Sequence, residues 1–155
     1  MSTWYNKVVD DISTIVDCID YYENELLDAR EDCILTGRPL EKSSAALPGI
    51  TEYRYNQLQE IEAILEHLNI LMRQERSKVF RKYLETYNRQ LSSRDAEKYV
   101  DGEMSVIHYA QLCNQFGLLR NKYLGIMKGL EAKQWQIGHI TKLRTAGMED
   151  IVVGR

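Results

Sequence analysis

Apolar residues along this chain recur in steps of three and four, and the longest such run lies at 105–145. Tyr109, Leu112, Phe116, Leu119, Tyr123, Ile126 and Leu130 alternate those steps. Lys133 interrupts them, and Ile137 and Ile140 resume them. Side chains at this spacing share one stripe of a helix with about 3.5 residues per turn. A helix of that length, about 60 Å, needs a partner of similar length to cover its stripe. The partner is either another segment of the chain or another copy of it. The expectation taken from the pattern is self-association, through Phe116, Leu119, Tyr123, Ile126, Leu130, Ile137 and Ile140. Ser105 is the expected cap. Gly147 is the expected stop, following Lys142 and Arg144, because glycine takes the left-handed conformation and cations suit the helix C-terminus.

The same steps run through 3–35, at Tyr5, Val8, Ile12, Ile15, Ile19, Tyr22, Leu26, Ala29 and Cys33, with Thr3 as the expected cap. Residues 36–50 hold both prolines of the chain. Thr36-Gly37, Pro39, Ser43, Ser44, Pro48 and Gly49 predict a loop there. Thr51 then begins a second helix, reaching about residue 90, whose first half has a broad apolar face from Leu58 to Met72. Ser92, with Asp95 three residues on, predicts a capped short helix at 93–100, and Asp101-Gly102 predicts a turn. No alternating strand pattern occurs. The expected fold is one all-α domain of helical-bundle or coiled-coil type, assembling as a homo-oligomer.

Charge divides the chain. Residues 1–72 carry five Lys/Arg against fourteen Asp/Glu, and residues 73–155 carry fifteen against nine. The first helix is acidic on its outer faces. Complementary ends of this kind can pack head to tail, and a basic end can meet phosphate. No apolar run reaches membrane-spanning length and the N-terminus lacks a signal-peptide pattern, so a cytoplasmic chain with no membrane partner is expected. The three cysteines, Cys18, Cys33 and Cys113, are far apart and read as reduced thiols.

Catalytic patterns are missing. His67, His108 and His139 are dispersed, with no ligand-type neighbour at metal spacing, and no phosphate-binding glycine loop or nucleophile elbow occurs. The reading is a protein that is not an enzyme, with no metal and no cofactor. Gly125 and Gly129 form a G-x-x-x-G inside the long helix, which points to close packing, since glycine costs about 1 kcal/mol in a helix interior relative to alanine.

One stretch carries a functional signal. Between Arg73 and Arg94 there are seven basic residues and two acidic ones, with Phe80, Tyr83 and Tyr87 interleaved. Binding a single strand without sequence preference takes cations to replace phosphate counterions and aromatic faces for unpaired bases. The candidates are Arg76, Lys78, Arg81, Lys82 and Arg89 for phosphate, and Tyr83 and Tyr87 for stacking. The competing reading is an exposed basic face with its aromatics in the core, on a non-enzymatic adaptor or structural phage protein that acts through coiled-coil oligomerisation.

The order of these pieces resembles a known family. A basic helix closes on Leu84-Glu85-Thr86-Tyr87, a polar turn follows, and the long helix ends on Ile137-Gly138-His139-Ile140-Thr141-Lys142-Leu143-Arg144. Over residues 75–147 this is similar to the UvsY family of recombination mediators from T-even-type phages. The resemblance implies a ring-shaped homo-oligomer that binds single-stranded DNA in the cytoplasm of an infected bacterium. It would help load a RecA-like recombinase onto strands covered by single-strand-binding protein, in DNA recombination and repair. The family's basic DNA-contacting pair falls near Arg81. Its second member meets Tyr83 here, with Lys82 between.

Overall fold

The computed structural model describes residues 4–86 and 91–148. Among them the chain forms five α-helices, one 3₁₀ turn and no strand. The helices are α1 (Trp4–Asp10), α2 (Ile15–Cys33), α3 (Leu40–Thr86), α4 (Ser93–Asp101) and α5 (Met104–Thr145), with the 3₁₀ turn at Ile12–Thr14. None of the described helices is long and apolar enough to cross a membrane.

The expected first helix is two helices. Asp11 leaves the helical conformation (φ −146°, ψ 105°), and its carboxylate accepts the Ser13 backbone N–H at 2.9 Å. A short acidic side chain offers the backbone an alternative to the helical ladder, and here that alternative wins. Thr3, the expected cap, lies outside the described residues.

The expected loop at 36–50 is a correction. Only the segment around Thr36–Pro39 turns, with Gly37 at φ +75°, and α3 begins at Leu40 with Pro48 inside it. Proline in a helix interior costs about 3 kcal/mol. Burial offsets that cost: Leu47 and Ser43 are buried, and Leu40 and Ile50 pack against the core. Each fully buried aliphatic side chain contributes about 1.5–3 kcal/mol. Proline and serine are turn residues when nothing packs on them. Here the apolar residues between them decide.

The stripe of α5 finds its partner inside the chain. α3 and α5 run antiparallel along most of their lengths, with α2 laid against α5. Phe116, Leu119, Tyr123, Ile126, Leu130 and Ile137 are all buried, in one core with Ile61, Ile64 and Leu68 of α3 and Tyr22 and Leu26 of α2. These are the side chains expected to carry self-association, and within one chain α3 occupies their seam. Ile140, past the core, is partly exposed. Gly129 shows how closely α5 and α2 approach, because a Cβ there would stand 2.8 Å from Cys33 Sγ. Lys133, which interrupts the stripe, is buried too, and its Nζ donates to the Asp32 carbonyl at 2.6 Å at the end of α2. A cation at a helix C-terminus is favourable there.

α2 reaches α3 mainly through long side chains. The Arg54 guanidinium, 6% exposed, donates to Glu25 and Asp32 of α2 at 2.9 Å. Gln57 bonds both Arg54 and Glu25. Burial works against the charge on each partner. The hydrogen bonds and opposite charges prevail, lowering the Glu25 carboxyl below its usual range and raising Arg54 above its own.

Candidate nucleic-acid interface

The basic stretch falls on the last third of α3, where α1 and α2 no longer reach. A second, smaller core holds this end together: Val79 of α3, Val100 of α4 and Val106 of α5 are buried, with Phe80 and Tyr83 packed against them. α4 is started as expected. The Ser92 hydroxyl oxygen accepts the Asp95 backbone N–H at 3.2 Å, and Ser92 donates to the Asp95 carboxylate at 2.7 Å. This reciprocal cap satisfies a backbone donor that would otherwise be unpaired. Ala96 and Val100, four apart, give α4 its inward face.

The expected cations divide into two groups. Arg76 is engaged within the fold, ion-paired with Asp101 at the end of α4 at 2.5 Å. Arg73 is likewise paired, with Glu66 at 2.8 Å. Lys78, Arg81 and Lys82 are exposed. At 100° per residue they share an arc of about 100° on α3. Lys78 lies 3.7 Å from Glu75, a loose contact for a side chain 79% exposed, and such pairs contribute only about 0.3–0.5 kcal/mol. Among the described residues, Arg81 and Lys82 form no ion pair. Glu85 shares their arc and is exposed with them. Tyr87 and Arg89 lie outside the described residues.

Tyr83 has a different role from the one expected of it. Its hydroxyl donates to the Glu103 carboxylate at 2.9 Å, and its ring stacks on Tyr99 of α4, with centroids 5.5 Å apart and planes 29° apart. The ring fastens α3 to α4 and to the start of α5, so its faces are not an open platform. Tyr99, the outer member of the pair, is 47% exposed. Its neighbour Lys98 and Arg94 are likewise exposed on α4. The sequence reading counted Arg94 in the basic stretch but chose none of these three as a contact. Their signal was the i, i+4 pair Ala96/Val100, which fixes the inward face of α4 and turns Arg94 and Lys98 away from it, with Tyr99 at its edge against Tyr83.

Among the described residues no group of three or more His, Cys, Asp or Glu side chains is placed to hold a metal ion. What this end offers chemically is exposed positive charge on α3 and α4, and a tyrosine pair between the two helices. In comparisons with known proteins, no protein-family model, no curated protein and no solved structure matches the chain.

Proposed function

We propose that this chain is a non-enzymatic protein that binds single-stranded DNA through the α3–α4 end and acts as a recombination mediator. The observation that carries the binding reading is the arc of Lys78, Arg81 and Lys82, exposed on α3, two of them without an ion pair among the described residues. Cations left over from the fold are the ones able to replace counterions on phosphates. The Tyr83–Tyr99 pair adds a partly exposed ring, Tyr99, at the same end of the molecule. The mediator role, with a RecA-like recombinase and a single-strand-binding protein as partners, rests on the resemblance across residues 75–147. So does the homo-oligomer. With the α5 stripe occupied by α3, copies would meet through other surfaces. Leu118, Leu124 and Trp135 are exposed on α5, and a Cβ at Gly117, Gly125 or Gly138 would meet open space. Several copies would multiply a modest patch through avidity.

The test is anisotropy of a labelled single strand with the full chain and with Arg81→Ala/Lys82→Ala. The double variant is expected to weaken binding to every sequence about equally, because phosphate contacts carry no base information. Wild-type affinity in a variant of unchanged mass and melting temperature would leave the arc as a solvated face and favour the adaptor reading. A loading assay on strands covered by single-strand-binding protein then separates a mediator from a simple strand binder. The mediator speeds recombinase assembly, and the simple binder does not.

A further inference from the structure

Where α1, α2 and the middle of α3 meet, the surface carries a cleft of a different character. It is about 370 Å³ in volume and is lined by Tyr5, Tyr21, Tyr22, Tyr53 and Glu60, among others. Tyr22, fully buried, forms the floor, and Tyr21 meets it edge to face at 5.1 Å. Tyr5, Tyr21 and Tyr53 are only partly exposed, so their rings line the cleft rather than project freely into water. Glu60 is held in place from two sides: Oε1 accepts the Tyr5 backbone N–H at 2.9 Å and Oε2 accepts the Tyr22 hydroxyl at 2.6 Å. Each carboxylate oxygen has a further lone pair. Among the described residues no lysine, arginine or histidine forms an ion pair with Glu60.

We propose that this cleft binds an organic cation, an alkylammonium or guanidinium head, between the rings of Tyr21 and Tyr53 and against the Glu60 carboxylate. Tyrosine faces carry the negative side of a quadrupole, and clusters of them recognise such heads. Aromatic rings here already hold cations from within the chain: Lys7 Nζ sits 4.2 Å from the Trp4 ring centre, and the Arg54 guanidinium lies 5.1 Å from the ring centre of Tyr53 itself. Arg54 is itself satisfied by Glu25 and Asp32, so it leaves the charge of Glu60 available. His67 packs edge-on against Tyr5. The phenols of Tyr53 and Tyr22 stay neutral. Burial, a hydrogen bond with Tyr21 and the charge of Glu25 push Tyr53 up to about 12. Burial, then the bond to Glu60, pushes Tyr22 above the ordinary tyrosine range. The volume lies within the range of small-molecule sites, about 300–1,000 Å³. Glu60 and Arg81 are about 30 Å apart along α3 at 1.5 Å per residue, so this cleft and the basic arc are separate sites with separate tests.

The head could belong to a free small cation or to a basic side chain of another protein. Nuclear magnetic resonance titration of the full chain with choline, putrescine and arginine amide, each against sodium chloride at equal ionic strength, distinguishes them. Saturable shifts confined to the Tyr5, Tyr21 and Tyr53 region are expected for at least one of the three. Preference for arginine amide would identify a partner's side chain, and preference for choline or putrescine a free cation. Tyr53→Ala and Glu60→Gln should each weaken binding at least tenfold, while Tyr53→Phe, which keeps the ring, should bind within about threefold of wild type. Glu60→Gln retains an acceptor for Tyr22, and a thermal melt of each variant establishes that it is folded. Shifts no larger than those from sodium chloride, for all three cations up to about 10 mM, would overturn the proposal. So would equal binding by Tyr53→Ala and Tyr53→Phe.

Discussion

The two ends of the α3–α5 pair use charge in opposite ways. Where α2 lies against the pair, buried charge is consumed by the fold: Arg54 by Glu25 and Asp32, and Lys133 by the last turn of α2. The core there contains Tyr22, Phe116 and Tyr123, all fully buried. At the other end α4 replaces α2. The core shrinks to three buried valines, and Lys78, Arg81 and Lys82 face water. Charge that a fold has already paired supports stability. Charge left exposed on a lightly built end supports an encounter with something else. A buried pair is costly to break because the surviving partner is stranded, whereas an exposed cation can be removed with little effect on folding.

Substitutions can break this contrast. Phe116→Ala should destabilise the whole molecule by about 3–5 kcal/mol, because a cavity remains where a fully buried ring stood. Chemical denaturation should show one cooperative transition moved to lower denaturant. Arg54→Ala should cost about 3 kcal/mol by stranding Glu25 and Asp32, and Arg54→Met should recover part of that loss by filling the space. If Arg54→Met were as stable as the wild type, the ion cluster would matter only as volume. Val100→Ala removes two buried methyl groups, a loss of about 2 kcal/mol. Its effect should be confined to the far end. Hydrogen exchange should speed in α4 while the amides of α2 and central α5 stay protected, and uniform acceleration would show the two cores to be one.

The smallest effect concerns pH. Burial opposes the Glu25 charge, but Gln57, Arg54 and Tyr53 hold its carboxyl below the usual range in the folded state. A lowered folded value means the stabilisation is fully present above the unfolded value, about 4.3. It is lost as pH falls through that value and on through the folded one. A pH series of thermal melts on the wild type and Glu25→Gln should therefore differ above that range and converge below it.

Much of the helical framework was legible because it rests on local periodicity. The α5 stripe, the Ser92 cap and the left-handed Gly147, at φ +67°, all sit where the pattern placed them. What was not legible depended on partners distant in sequence. Spacing shows that Phe116 and Tyr123 need a cover, but not whether that cover is α3 or a second copy. Pro48 reads as a loop residue until Leu47 and Ile50 are seen packing on the core. Asp11 reads as one more acid on a helix face until its side chain takes the Ser13 N–H. At the candidate interface, composition located the basic stretch but did not divide it. That Arg76 belongs to Asp101 and Tyr83 to Glu103 and Tyr99 follows from where α4 docks, which a count of charges does not contain.

The salt dependence of single-strand binding tests the central claim most directly. Each phosphate contact on a single strand contributes about −0.7 to the slope of log affinity against log salt. Three cations, Lys78, Arg81 and Lys82, predict a slope of about −2 for one copy, steeper if Arg94 and Lys98 take part. Arg81→Ala/Lys82→Ala should flatten it by about 1.4, with mass and melting temperature unchanged. A slope near zero in the wild type, or the same slope in both proteins, would contradict the account and leave the exposed arc without a role in strand binding.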